Sequence, residues 1–158
     1  MLLLNQSLFR QLAAQAAAHP RLRQHLNLHR SYEDPCQRLL IAMQPDSYIR
    51  PHRHRTDPKP ECFIALRGRF ALLIFDNHGE IVDRFFLGSG EDAAGADLPV
   101  GIWHSVVCLE PDSVFFETKP GPFHPDQKKD PAPWAPEEGS PEAAAYLQTL
   151  LSQVLKQI

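Results

Sequence analysis

Four side chains of metal-binding type stand out in the sequence by their spacing. His52 and His54 are two residues apart, Glu61 follows after six intervening residues, and His104 comes directly after the run 99–103. Alternate residues of a β-strand leave the same face, and at a rise of ~3.3 Å per residue two such histidines can reach one ion. Three imidazoles and one carboxylate predict a site for one divalent transition metal ion, Zn, Fe, Ni or Mn, with open positions for water or substrate.

The elements that must position these residues have the pattern of short β-strands. From about residue 36, apolar runs of strand length alternate with turns rich in Gly, Pro, Asn and Asp, residues whose backbone preferences favour turns. This spacing is typical of an antiparallel sandwich or barrel, in which a hairpin can turn Glu61 toward the two histidines. We predict strands near 36–44, 47–54, 61–67, 70–76, 81–87, 103–109 and 113–119.

A helix is predicted at each end of the chain. Over 5–18, Asn5 or Ser7 can cap a segment whose apolar residues recur at helical spacing. The Ser-Pro-Glu sequence at 140–142 is a helix-start signal and predicts a helix over about 141–157. The proline-rich stretch 120–140 is too long for a simple connection, so we expect it to wrap the barrel or cover an opening.

The composition is that of an ordinary globular chain. The 158 residues are 43% hydrophobic and 22% charged, which predicts one domain with a barrel core over about 36–119. A net charge of −3 does not indicate binding to nucleic acid or to an anionic membrane. No apolar run is long enough to span a bilayer. Three widely spaced cysteines predict reduced thiols, and the N-terminus has no basic signal-peptide region, so we expect a cytoplasmic location.

The spacing of the four candidate ligands resembles the two motifs of the cupin superfamily. The residues that carry these motifs are His52, His54, Glu61 and Gly68, then Pro99, Gly101 and His104. Asp46 stands where the family has an opening glycine, the loop before Glu61 is longer than usual, and Cys108 replaces a final asparagine. The resemblance implies a mainly β cupin fold, an antiparallel barrel or jelly roll, with the histidines and the glutamate as metal ligands.

The flanking segments narrow the resemblance. Residues 21–29, 117–123 and 134–139 look like those of the WbuC-type family of cupin fold metalloproteins. This resemblance implies a small bacterial single-domain cupin, often encoded among genes of surface-polysaccharide (O-antigen) biosynthesis. Because cupin folds commonly pair through a sheet edge or a terminal strand, it also implies a homodimer.

Five further residues are candidates for binding a small-molecule substrate beside the metal: Tyr48, Arg50, Asn27, His29 and Cys108. Tyr48 and Arg50 share the strand parity of the two histidines, and Arg50 either holds a substrate carboxylate or phosphate or pairs with an acid at the rim. Asn27 and His29 either close one end of the barrel on the substrate or belong to a solvated connector or a dimer contact. Cys108 follows the last candidate ligand inward, as a cavity wall or a small buried hydrophobe.

Three functions fit these features. The first is a metal-dependent enzyme acting on a small polar substrate, which the family resemblance points to as a sugar or sugar nucleotide, with isomerase or epimerase chemistry. No second base stands out in the sequence for that chemistry. A non-haem iron dioxygenase is the alternative enzyme. A non-catalytic cupin that binds a metal or a metabolite is the alternative of another class.

Overall fold

Two antiparallel sheets and two helices form the described part of the chain. The computed structural model describes residues 1–124 and 129–156. The helices are α1 (Gln6–Ala18) and α2 (Ala143–Leu155). The strands are β1 (Arg23–Asn27), β2 (Cys36–Met43), β3 (His52–Arg53), β4 (Glu61–Arg67), β5 (Arg69–Phe75), β6 (Ile81–Gly88), β7 (Gly95–Leu98), β8 (Trp103–Cys108), β9 (Ser113–Pro120) and β10 (Asp130–Pro131).

The strands are divided equally between the two sheets. The first sheet has the order β1-β2-β9-β4-β7 and the second the order β10-β3-β8-β5-β6, and neighbouring strands pair antiparallel. The chain passes from β4 to β5 through Gly68, whose φ of 74° suits glycine and whose position leaves no room for a Cβ beside Ser113. The predicted mainly β architecture of antiparallel sheets with a helix at each end is confirmed.

Apolar residues are buried on both faces of the central strands. Leu39 and Ile41 of β2 point between the sheets, whereas Leu40 points outward and packs in one cluster with Leu12 of α1. Helix α2 covers the outer face of the second sheet, where Leu147 belongs to a further cluster. The terminal helices therefore extend the hydrophobic core beyond the barrel, which adds apolar burial to the stability of both sheets.

The helix boundaries lie close to the predicted ones. Asn5 caps α1, and its Oδ1 accepts a hydrogen bond from Leu8 N at 3.0 Å. Helix α2 begins at Ala143, two residues later than predicted. The reason is that residues 140–142 form a turn in which Ala143 N donates to Ser140 O at 3.2 Å.

Four strands differ from the sequence prediction. The strand predicted over 47–54 is wrong for most of its length, because only His52–Arg53 pairs and residues 47–51, which end in Pro51, follow an irregular path. Strands β1, β7 and β10 were not predicted. The barrel consequently begins at Arg23 rather than near residue 36.

The described part of the proline-rich stretch wraps the second sheet, as expected. Its residues 130 and 131 form β10 beside β3, and Ala132 N donates to Pro51 O at 2.8 Å. The Trp134 ring packs against Phe75 and Trp103, with centroids 5.2 and 6.1 Å away. Neither helix in the described residues has the length and apolar character needed to cross a membrane.

Candidate metal centre

The four predicted ligands meet inside the barrel. His52 lies on β3, His54 directly follows that strand, His104 lies on β8, and Glu61 is the first residue of β4. Between 2% and 8% of the surface of each residue is exposed. Because β3 and β8 belong to the second sheet and β4 to the first, the cluster bridges the two sheets.

The side chains of the cluster are close enough to share one ion. His52 and His104 face each other across the β3–β8 pair, with ring centroids 4.4 Å apart. Glu61 Oε2 lies 3.1 Å from His104 Nε2 and 3.2 Å from His54 Nε2. Ligand atoms of His52, His54 and Glu61 all lie within 4.8 Å of one another. This spacing is near that of donors around one metal ion, each ~2.0–2.2 Å from it.

Backbone carbonyls fix the tautomer of two of the imidazoles. His52 Nδ1 lies 3.0 Å from Arg50 O, and His104 Nδ1 lies 2.9 Å from Ile102 O. Because a carbonyl oxygen only accepts, Nδ1–H donates in both rings, and Nε2 of the neutral ring keeps its lone pair. This is the tautomer that a metal-binding Nε2 requires.

Three buried polar atoms at the centre of the cluster lack hydrogen-bond partners among the described residues. They are Nε2 of His54, Nε2 of His104 and Oε2 of Glu61, whose mutual contacts do not have hydrogen-bond geometry. Leaving such a group unsatisfied costs about 1–3 kcal/mol. A cation between these atoms would satisfy all three, so the residues present fit a metal ion.

The long loop between His54 and Glu61 is anchored at both sides. Arg55 N and Thr56 N donate to Asp130 Oδ2 at 2.9 and 3.0 Å. Lys59, which is buried, pairs with Asp57 at 2.7 Å and donates to a carbonyl of the proline-rich stretch. The loop is therefore held against the barrel, and β4 begins with its first side chain directed at the histidines.

The charge states of the cluster suit a metal site. Burial alone would raise the pKa of Glu61, but the two adjacent imidazoles and the Lys119 ammonium outweigh it and hold that pKa well below its usual range. Burial, followed by the positive charge of Lys129, holds the pKa of His52 well below its usual range. An ionised carboxylate and a neutral imidazole are the forms that bind metals.

A cavity of about 410 Å³ opens onto the cluster. Its volume is within the range of ~300–1,000 Å³ that small-molecule sites occupy. All four candidate ligands line it, beside an apolar wall formed by Leu39, Ile41, Phe63, Val106 and Phe115. A small ligand can therefore reach the ligand cluster directly.

Ion pairs join charged residues around this cavity. Lys119 Nζ lies 2.9 Å from Glu61 Oε1 and 2.8 Å from Glu117 Oε1, so one ammonium bridges two carboxylates. The flanking carboxylates hold the pKa of Lys119 above its usual range although burial opposes this. Arg23 is buried and donates to the Glu138 carboxylate at 2.6 Å.

Asn27 and His29 both line the cavity. Asn27 ends β1, so the segment is part of the barrel rather than a solvated connector. The Nδ1 atom of His29 accepts from Arg38 N at 3.1 Å, which ties the ring to β2. Their contact with a substrate stays a prediction.

Tyr48 and Arg50 do not line the cavity, and their predicted place beside the metal is corrected. The parity argument assumed a strand, but residues 47–51 are irregular, and Ile49 lines the cavity instead. The Tyr48 hydroxyl donates to a backbone carbonyl at 3.0 Å. Arg50 lies 3.8 Å from the exposed Glu137 carboxylate, which agrees with the alternative of pairing with an acid.

Cys108 is also corrected as a substrate-binding candidate. It is fully buried within the apolar cluster between the sheets and is not among the described residues that line the cavity. Its Sγ donates to Glu110 O at 3.0 Å, and burial raises the pKa of the thiol to about 11. Cys108 is therefore a small buried hydrophobic residue of the core, which is the alternative predicted from the sequence.

The sequence prediction missed several polar residues of the cavity. Lys119 lies on the same inward-facing side of β9 as Phe115, and Arg23 and His25 occupy alternate positions of β1. Their spacing at every second position was the feature of the sequence that could have identified them as one face of a strand. It was not recognised because polar residues on alternate positions usually indicate a solvent-facing side of a strand.

The first half of the chain matches a known sequence family. The sequence model of a family described as "Domain of unknown function (DUF6016)" matches residues 4–87. This region contains His52, His54 and Glu61. Among curated proteins, none matches the sequence of this chain.

Several solved structures are similar in fold. The capsular polysaccharide assembling protein CapF from Staphylococcus aureus is 20% identical, with a TM-score of 0.56, over 68% of this chain and 29% of CapF. Oxalate decarboxylase from Bacillus subtilis is 15% identical, with a TM-score of 0.51, over 69% of this chain and 27% of the enzyme. Protein SO0799 from Shewanella oneidensis is 12% identical, with a TM-score of 0.53, over 65% of this chain and 70% of that protein.

These likenesses show the fold. The structural neighbours have the cupin fold, and the chain shares it. The chain spans less than a third of CapF and of the decarboxylase. The chain therefore has a cupin fold with a His-His-Glu cluster that can hold a metal ion.

Proposed function

The chain belongs to the family described as a domain of unknown function (DUF6016), and we propose that it binds one divalent transition metal ion through His52, His54, Glu61 and His104. The observation that carries this proposal is the set of buried, unpartnered donor atoms that converge beside a 410 Å³ cavity. Zn, Fe, Ni and Mn all accept such a donor set. A bound ion would polarise a ligand oxygen and stabilise negative charge that develops on it.

We further propose that the metal site serves an enzyme of isomerase or epimerase type acting on a small polar substrate, such as a sugar or sugar nucleotide. The cavity gives a substrate access to the cluster. Lys119, fixed between Glu61 and Glu117, is placed to donate a hydrogen bond to a substrate oxygen. Membership of the WbuC-type metalloproteins and a role in surface-polysaccharide metabolism belong to this proposal, and CapF is a polysaccharide assembling protein with the same fold.

One observation favours the second candidate, a non-catalytic cupin that binds a metal or metabolite. Glu61, Glu117 and Glu138 line the cavity, and each of them is engaged in an ion pair. A carboxylate held by a cation is a weak base, so none of these three is poised to remove a proton from carbon. Tight ligand binding without turnover is the behaviour that this candidate predicts.

Metal content tests the first proposal. Protein purified without an affinity tag or chelator is analysed by plasma mass spectrometry, and about one ion per chain is expected. The double variant His52→Ala/His104→Ala should lose the ion. The matched control, His19→Ala/His78→Ala, removes two histidines outside the cavity and should keep it. A wild-type chain that takes up no metal even after reconstitution contradicts the proposal.

The nature of the ion and the products of turnover decide between the functions. Metal-loaded protein is incubated in D₂O with a panel of sugars and sugar nucleotides, and deuterium incorporation at carbon is followed by NMR. Incorporation that requires the metal supports isomerase chemistry. Oxygen uptake by the iron-loaded protein instead supports the dioxygenase alternative, whereas ligand binding without either signal supports the non-catalytic candidate. The homodimer and the cytoplasmic location stay predictions.

A further inference from the structure

One cationic side chain that lines the cavity, Lys129, forms no ion pair with a described residue. Arg21, Arg23, Lys119 and Lys129 line the cavity with three carboxylates. Lys119 is bound by two of these carboxylates, and the third pairs with Arg23 at close range and with Arg21 at 3.7 Å. Lys129 has neither an ion pair nor a hydrogen bond to any residue in the described ranges.

The surroundings of Lys129 are electrically positive. Although solvent reaches Lys129, the enclosing protein and then the charges of Lys119 and Arg23 lower its pKa to about 8, against the opposing effect of Glu61 and Glu117. His25 on the same lining has a pKa lowered to about 4 by burial and then by neighbouring cations that include Lys129. Several cationic groups thus lie in one region of the cavity, and its carboxylates are in ion pairs with cations other than Lys129.

A metal ion increases this excess of positive charge. The one carboxylate in the proposed ligand set, Glu61, cancels only part of the charge of a divalent ion. A cavity with an unmatched lysine and a partly neutralised metal ion attracts anions, and the low dielectric of its walls strengthens that attraction.

We propose that the ligand of this cavity carries an anionic group, a carboxylate or a phosphate, and that Lys129 binds this group while another part of the ligand lies at the metal cluster. The proposal rests on the metal-binding function proposed above and narrows its substrate class. It also gives the proline-rich stretch a role, because the residue that recognises the anion comes from that stretch.

Binding of small anions to the full-length, metal-loaded protein tests the proposal. The probes are malonate for the carboxylate class, phosphoglycolate for the phosphate class and malonamide as the neutral counterpart of malonate, each titrated by calorimetry. Lys129→Met should weaken binding of at least one anion about tenfold or more, the usual loss for a hydrogen bond to a charged group. Malonamide binding should not change.

Two further variants keep this result interpretable. Lys129→Arg retains the charge and should keep most of the anion affinity. Lys156→Met removes an exposed lysine at the end of α2 and should leave the affinity unchanged. Metal content and the thermal midpoint of each variant show whether it still folds and still holds the ion.

The outcomes separate this inference from the proposed function. Equal anion affinity of wild type and Lys129→Met at equal metal content overturns the inference, as does a metal-loaded wild type that binds neither anion. A wild type without metal refutes the proposed function instead, and the titrations are then repeated on the metal-free chain. Binding that depends on Lys129 in that state still supports an anion site, whereas binding independent of Lys129 overturns it.

Discussion

Replacing Glu61 by glutamine separates metal binding from folding. Glu61→Gln keeps the side-chain volume but removes the ligand charge and one of the two carboxylates bound to Lys119. Breaking a buried ion pair costs about 3–5 kcal/mol when the partner is left alone. Here Lys119 keeps its ion pair with Glu117, so its charge is not left without a partner. We therefore expect the metal-free variant to lose only about 1–2 kcal/mol of stability.

The effect on the metal-loaded protein should be much larger. An ion present at 100 times its dissociation constant stabilises a protein by about 2.7 kcal/mol, which for a domain of this size raises Tm by roughly 5–11 °C. Loss of an outer partner of a metal ligand already weakens binding about 10–100-fold, so loss of a ligand should reach at least the upper end. At the same ion concentration the variant then keeps about 0.4 kcal/mol of metal-induced stabilisation, which raises Tm by about 1 °C.

Calorimetric unfolding of chelator-treated protein, with and without added ion, measures the stability of the metal-free protein and the rise in Tm that the ion causes. The matched control is Glu117→Gln, which removes the other carboxylate bound to Lys119 but no proposed ligand. It should keep the metal-induced rise in Tm. If Glu61→Gln shows the same rise as wild type, Glu61 is not a ligand and the long loop before it does not orient it toward the ion.

Three further predictions concern the surroundings of the site. Because the enclosing cavity walls and then neighbouring cations lower the pKa of His25 from 6.5 to about 4, the unfolded chain takes up a proton first as the pH falls through this window, so the metal-free protein loses stability there. His25→Asn should flatten that part of the profile in urea unfolding. Leu147→Ala should cost about 2–4 kcal/mol without changing metal content, whereas Leu155→Ala, at an exposed position, should change stability by less than about 0.5 kcal/mol. Tyr48→Phe should cost about 1 kcal/mol in thermal unfolding and leave malonate affinity unchanged.

Elements with apolar residues in a regular pattern could be predicted from the sequence. The runs that became β5 and β8 are buried on both faces and read clearly as strands. Strand β1 could not be recognised in this way because its alternation is reversed. His25 and Asn27 face the cavity, whereas Leu26 packs outward in the cluster under α1. A strand whose inner face lines a polar cavity has the pattern of a surface segment.

Some of the proposed ligands could be predicted from neighbouring positions in the sequence, whereas the rest of the site could not. His52 and His54 are two residues apart, and a strand alone places them together. Lys119 contacts Glu61 because strands β4 and β9 pair. The residues next to Lys119 in the sequence do not predict that contact. Lys129 lies on an irregular segment, where the sequence has no periodic pattern that predicts which way a side chain points.

The division of the ligands between the sheets explains why a buried cluster of polar atoms persists in an apolar barrel. His52 and His104 come from paired strands of one sheet, and Glu61 comes from the other. Without a cation, three buried polar atoms of the cluster lack hydrogen-bond partners in the described part of the chain, which makes the packing of the two sheets less favourable. With an ion bound, the same atoms join the sheets through one centre. The affinity for metal is therefore coupled to the packing of the two sheets, and core substitutions between them should alter metal affinity even where they touch no ligand.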